Sequence, residues 1–263
     1  MTVITLLTDF GLQDGYPGIM KGVIWKVAPA VQIADISHSI RPQNIFQGAL
    51  ALARTAFYFP AGTIHVVVVD PGVGTKRRPI GLRLGEYYFI GPDNGLFTLV
   101  LERAEAQEAD IKAIHLDQSQ YWLPEVSHSF HGRDIFAPVA AHLAAGILFD
   151  ALGTPISDPV RIEIPKPVRT TQGWQGQVIH VDYFGNLSTN LHASHLEGAK
   201  QVTIRIKGNE IVGLVSSFGE RPSGTLVALL DSSSFFAISV VNGNAAQYLQ
   251  ATVGETIEVF INY

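Results

Sequence analysis

Four apolar runs in this chain end alike, in an aspartate followed by glycine: Leu6–Leu7 into Asp9 and Gly11, Val68–Val69 into Asp70 and Gly72, Phe89–Ile90 into Asp93 and Gly95, and His180–Val181 into Asp182 and Gly185. A carboxylate at the carboxyl end of a buried strand, with glycine to turn the backbone, stands where open α/β sheets bind ligands. Turn chemistry alone also favours Asp and Gly, so any single case reads better as a plain turn. Two such ends on one sheet are harder to assign to turns alone, which makes Asp9 and Asp70 the first site candidates. The stretch from Asp70 to Arg78 adds a glycine loop and three cations, Lys76, Arg77 and Arg78. It lacks the third glycine of a dinucleotide fingerprint and the Gly-Lys-Ser/Thr of a phosphate loop. Either Arg77 or Arg78 could fold back on Asp70 and hold it charged, or the loop could be a solvated basic surface.

The densest polar cluster is Ser127, His128, His131, Arg133 and Asp134, at the start of a helical pattern. His131 could serve as a general base or donor near neutral pH. Asp134 reads as an ordinary helix cap, with Arg133 as its ion-pair partner. Asp9, Asp14, Asp70 and His131 could also supply oxygen and imidazole ligands to a phosphoesterase metal, although no His-x-His, His-Asp pair or paired carboxylates stand at ligand spacing. Phe184 and Asn186 could stack on a nucleobase and bond to its edge; a hairpin turn with Phe184 in the core is the plainer reading.

The elements that must position these residues are those of an α/β chain. Val3–Leu7, Ile64–Val69 and Tyr87–Ile90 read as strands, the second with no polar alternation and therefore covered on both faces. Helices are predicted over about 16–27, 43–58 and 134–149, the first two stopped by Pro29 and Pro60. Four prolines crowd the segment from Pro155 to Pro167, which marks a linker over 159–170 between an α/β domain at 1–158 and a second domain at 171–263. The second domain alternates short β runs (177–181, 202–207, 226–230, 256–261) with Gly and Asn turns, as a small barrel does.

With 263 residues, 47% of them hydrophobic, the chain can bury a sizeable core. Twenty-three acidic against eighteen basic residues give a net charge of −5, which does not support a nucleic-acid surface. The absence of cysteine excludes disulfides, thiolate metal sites and cysteine nucleophiles. No signal peptide or membrane-spanning run is apparent, so a soluble cytoplasmic protein is expected.

Taken together, LTDFG at 7–11 with Asp14, ISH at 36–38, VDPGVGT at 69–75, GPDNG at 91–95, FHGRDIFAP at 130–138, DYFGN at 182–186 and NGNAA at 242–246 resemble the S-adenosylmethionine (SAM) hydroxide adenosyltransferases, hydrolase relatives of the fluorinase and chlorinase. The resemblance implies an N-terminal α/β domain with a central, mostly parallel seven-stranded sheet and a smaller C-terminal β-barrel domain. It also implies a homotrimer with SAM sites between subunits, and no cofactor. It places the family's catalytic triad on Asp70, Arg77 and His131. Asp9 would bind the ribose hydroxyls, Asp14 and Asp182 the methionine ammonium, Phe184 the adenine face and Asn186 the adenine edge. Near the C-terminus Asp231–Ser234 and Ala237 replace the family's usual pattern, and the adenine contacts would fall to Ser232 and the backbone near Val241.

The implied reaction is attack of water at ribose C5′, giving adenosine and L-methionine. Three other readings stand beside it: a SAM halogenase of the same fold, a metal-dependent phosphoesterase and a non-catalytic SAM or adenosine binder. Asp70 weighs against the halogenase, since a carboxylate beside a halide costs Coulomb energy.

Overall fold

The computed structural model describes residues 2–262. The chain divides into two compact units, one up to Ile162 and one from Glu163 onward.

In the first unit, β1 (Val3–Thr8), β2 (Gln32–Ser37), β3 (Ile64–Val68), β4 (Pro79–Leu84), β5 (Tyr87–Pro92), β6 (Ile111–His115) and β7 (Thr154–Pro155) form one sheet in the order β2-β1-β3-β5-β4-β6-β7. Strands β2, β1, β3 and β5 run parallel. The β5–β4, β4–β6 and β6–β7 pairs are antiparallel. The sheet is therefore mixed rather than mostly parallel. The difference arises at β4, whose residues the glycine-rich, basic stretch before them masks: Gly85, at φ 58°, turns it into a hairpin with β5.

Helices cover both faces. Along β1 and β3, Ile4, Leu6, Val66 and Val68 pack with Met20 and Ile24 of α1 (Tyr16–Val27) and Val139 of α4 (Ala137–Ala144). Leu7 and Val67 face the other way, onto Leu52 of α2 (Ile45–Thr55) and Leu101 of α3 (Thr98–Ala106). The two-residue period of a strand serves both cores at once, which explains the unbroken apolar run of β3. From β1 the chain passes through α1 to β2 on one side, then from β2 through α2 back across to β3 on the other side, and from β3 it moves outward to β4 and β5. The gap at the carboxyl ends of β1 and β3 is thus the reversal point where open α/β sheets hold ligands.

Two helices depart from the sequence expectation. The second begins at Ile45, because the Asn44 side chain accepts from the Gln47 N–H (2.9 Å) and ends the chain before it as a cap. The third opens as a π-helical turn, Gly132–Phe136, before α4 begins; Gly146, at φ 101°, closes the segment.

The second unit is a nearly closed barrel-like sheet. Strands β8 (Val168–Thr170), β9 (Gly173–Val181), β10 (Leu187–His192), β11 (Gln201–Ile206), β12 (Asn209–Val212), β13 (Leu226–Leu230), β14 (Phe235–Val240) and β15 (Thr256–Asn262) follow the order β12-β11-β15-β9-β10-β14-β13, with β8 on β9. Long β9 holds it together, pairing with β15 through its first half and β10 through its second. The Val215 N–H, donating to Ala228 O (2.9 Å), draws the chain after β12 toward β13. The inward residues Val178, Leu187, Ile204, Phe236, Ile238 and Val259 fill the interior. The helix α5 (Ala245–Leu249) is capped by Asn244, whose side chain accepts from the Gln247 N–H (2.8 Å).

Candidate active site

The register of β1 on β3 sets Thr8 beside Val68, so the residues that follow, Asp9 and Asp70, emerge side by side at the reversal point. A cavity of about 390 Å³ opens there, with Asp9, Phe10, Gln43, Asp70, Phe130 and His131 in its wall. One edge is a cluster of three rings, Phe10, Tyr16 and Phe130, in edge-to-face contact with centroids 5.2–5.9 Å apart. Such contacts fix ring orientation as well as burying area.

The choice between Arg77 and Arg78 is settled by geometry. Arg77 Nε donates to both oxygens of Asp70 (3.0 and 2.9 Å), and Nη2 donates to Asp70 Oδ2 as well. The pair is dry, with the Asp70 side chain 4% and the Arg77 side chain 8% exposed. Arg78 turns away to bind Asp93 and Asp158, anchoring the base of the loop. Between Asp70 and Arg77, Gly74, at φ 75°, passes so close to the His128 carbonyl that a Cβ would collide with it. Only glycine lets the loop bring Arg77 back over Asp70.

Arg77 Nη2 also lies 2.8 Å from His131 Nδ1. A guanidinium can only donate, so Nδ1 accepts and the imidazole proton resides on Nε2. Burial, reinforced by the Arg77 charge, pushes the His131 pKa below its ordinary 6.5, against the pull of Asp70 and Asp134. The ring is neutral at pH 7. Arg77 Nη1 is buried and has no partner in the structure, while the guanidinium carbon sits 5.3 Å from the centroid of the Phe136 ring.

Asp134 is not a helix cap. It is fully buried inside the π-helical turn and accepts from the Ser127 N–H (2.8 Å), the Ser127 hydroxyl (2.7 Å) and Arg133 Nε (2.5 Å). It ties the loop carrying Phe130 and His131 to the helix. Asp9 accepts from the Gln43 N–H (2.7 Å), and Gln43 holds a left-handed φ of 66°. Sequence reasoning missed Gln43, Phe10, Tyr16 and Phe130. The aromatics carried a signal, since each stands within two residues of a motif residue; the backbone role of Gln43 carried none.

Asp14 is exposed on the loop before α1 and is not part of the cavity wall. In the second unit Asp182 organises the β9–β10 turn, accepting from the N–H of Phe184 (2.9 Å), the N–H of Asn186 (2.8 Å) and Asn186 Nδ2 (2.8 Å). The turn leaves Phe184 72% exposed rather than in the core. Ser232 is exposed in the β13–β14 turn. Val241 is buried, its N–H given to Thr225 O (3.0 Å) and its carbonyl accepting from Gly224 (2.8 Å). Among the described residues no group of three or more His, Asp or Glu side chains has the arrangement to hold a metal ion. No helix among them is long and apolar enough to cross a membrane.

The mixed α/β unit that carries the Asp-Arg-His constellation and the barrel-like unit after it each match a family model. Residues 4–153 match the SAM hydroxide adenosyltransferase N-terminal domain and residues 176–258 the C-terminal domain, and the chain belongs to that family. Its relatives include a protein of Salinispora arenicola named (R)-S-adenosyl-L-methionine hydrolase, 36% identical over 97% of both chains. One of the same name from Thermus thermophilus is 36% identical over 98% of this chain and 100% of its own. A fluorinase of an Actinoplanes species is 30% identical over 75% of this chain and 74% of its own. A crystal structure of an uncharacterized conserved protein from Thermotoga maritima superposes with a TM-score of 0.89 at 35% identity, covering 98% of this chain and 99% of the other.

Proposed function

We propose that the protein hydrolyses S-adenosyl-L-methionine to adenosine and L-methionine. The observation that carries this reading is that Asp70 and His131, joined by the desolvated Arg77, stand in the wall of a cavity that also presents Asp9, in a chain of this family. In the reaction the oxygen of water bonds to ribose C5′ and the C5′–S bond breaks. Its electron pair goes to sulfur, and one proton is released. Methionine leaves as a neutral thioether, so no metal is needed to take up leaving-group charge.

Water, with a pKa near 15.7, needs help to attack. Arg77, bonded to both Asp70 and His131, places a fixed positive charge behind the two groups that face the nucleophile and stabilises the charge developing on its oxygen. His131, with its proton on Nε2, donates to the same oxygen. That tautomer transfers proton acceptance to Asp70, which Arg77 clamps but whose remaining lone pairs are free. In-line placement of water, C5′ and sulfur away from bulk solvent supplies much of the acceleration.

Asp9 is assigned the ribose hydroxyls, Asp14 and Asp182 the methionine ammonium, Phe184 and Asn186 the adenine face and edge, and Ser232 and the backbone near Val241 the remaining adenine contacts. These ligands come from both units, in keeping with the homotrimer expected from the family resemblance. A cytoplasmic location is part of the same reading. The (R) sulfonium epimer named in the relatives is the substrate to try first. Incubation of the protein with that epimer in excess chelator, followed by chromatography, should yield adenosine and methionine in equal amounts. Turnover that stops in chelator and returns with a divalent cation favours the phosphoesterase-type site, and 5′-halogenated product in chloride favours the halogenase.

A further inference from the structure

The ISH motif at 36–38 has no part in the chemistry above, yet its histidine is a buried polar group near the cavity. His38 is 4% and Thr8 0% exposed. Between Leu6–Asp35 and Leu7–Ser37 the β1–β2 register slips by one residue, a bulge of the kind that re-aims a side chain at a sheet edge. Here it turns His38 onto the end of β1. His38 Nδ1 lies 2.9 Å from Thr8 Oγ1, which itself accepts from the Phe10 N–H (3.2 Å). The ring's other nitrogen faces the Asp35 carboxylate, which can only accept, so the neutral imidazole carries its proton on Nε2, Nδ1 is the acceptor, and the Thr8 hydroxyl donates to it. Nε2 stands 3.1 Å from Asp35 Oδ1, and Asp35 Oδ2 accepts from Lys21 Nζ of α1 (2.6 Å). The His38–Asp35 approach is a close contact without hydrogen-bond geometry; burial raises the Asp35 pKa, but Lys21 and the nearby His38 ring outweigh it and leave it lowered. The His38 carbonyl also accepts from the Gly11 N–H (2.8 Å).

Phe10 and Gly11, the two residues after Asp9, are therefore both held from His38, one through Thr8 and one directly. We propose that His38 is a positioning residue for substrate binding: the chain Lys21–Asp35–His38–Thr8 fixes the carboxyl end of β1 so that the Asp9 carboxylate meets the sugar diol. This rests on the reading that Asp9 binds the ribose of the nucleoside. The Thr8 link is the one that reaches Asp9; the Asp35 link orients the ring.

The two links separate cleanly by substitution. Asparagine places Oδ1 where Nδ1 stands and keeps the Thr8 link, whereas glutamine places Nε2 at the ring's Nε2 and keeps only the Asp35 link. Calorimetric binding of adenosine and of 2′-deoxyadenosine to the full-length protein reads Asp9 placement without requiring turnover. A charge-assisted hydrogen bond to the 2′-hydroxyl makes the native protein prefer adenosine by about tenfold or more. His38→Asn should keep that preference within about threefold of native, and His38→Gln should lose most of it. Unfolding midpoints of both variants show that the difference is not one of stability. Equal loss in both reduces His38 to a structural residue, and native discrimination in His38→Gln overturns the proposal outright. Native protein that binds adenosine without preferring it over the deoxy form removes the role of Asp9 and this inference with it, while leaving hydrolysis intact. Absence of adenosine binding to native protein instead refutes the assignment of the pocket.

Discussion

Replacing Asp70 by asparagine changes its charge at almost constant volume, so the effect isolates the ion pair. The Arg77 guanidinium, 8% exposed and bonded to Asp70 through two nitrogens, would keep its charge and lose its counter-ion. Removing one partner of a buried pair costs about 3–5 kcal/mol. The open cavity of about 390 Å³ alongside lets water approach, which favours the lower end, about 3 kcal/mol. For a chain of this length each kcal/mol lowers Tm by about 2–4 °C, giving a drop of about 6–12 °C. The double variant Asp70→Asn/Arg77→Met removes the stranded charge and should recover at least half of that loss, because uncharged packing often replaces a buried pair at little cost. Scanning calorimetry at pH 7 decides the matter. An Asp70→Asn variant that melts with the native protein, or a double variant less stable than the single one, refutes the claim that the pair is desolvated.

His131→Ala should lower kcat about 10²-fold or more with little change in SAM affinity. The depressed pKa of His131 keeps the ring neutral as pH falls, so the acid limb of kcat/KM should lie below pH 6.5. A limb at or above 6.5 contradicts this assignment. His65, fully buried and bonded to Thr5 (2.7 Å), has its pKa lowered by burial from 6.5 to about 4. The unfolded chain thus takes up a proton that the native state refuses, so stability falls between pH 6.5 and 4, by about 2 kcal/mol at pH 5. Urea unfolding of native protein and His65→Gln at pH 7 and 5 should show that component in the native protein alone. If sites draw on two chains, mixing Asp9→Ala with Asn186→Ala subunits should restore activity; no recovery in demonstrably mixed oligomers contradicts composite sites.

What the sequence made legible was local. The apolar run of β3 announced a doubly covered strand, and the Asp-Gly endings of β1 and β3 pointed to residues that line the cavity. The antiparallel half of the sheet was hidden because strand direction and order depend on pairings across the chain, and Pro79–Leu84 reads as a continuation of the glycine-rich loop. Asp134 shows the same limit: an aspartate before a helical pattern looks like a cap, and only the folded loop at Ser127 makes it an internal anchor. The Asp70–Arg77 pairing was available as one of two choices, and the backbone geometry at Gly74 and Arg78 decided between them. Gln43 could not be found from its residue type, since its contribution to Asp9 is a backbone N–H in a left-handed turn. The family resemblance supplied the joint meaning of residues that periodicity could only place one by one.

The central claim, attack of water on C5′, is tested most directly by running the reaction in ¹⁸O-enriched water and weighing both products. The account predicts one ¹⁸O atom in the 5′-hydroxyl of adenosine and none in methionine. Adenosine without the label, or label in methionine, would contradict it.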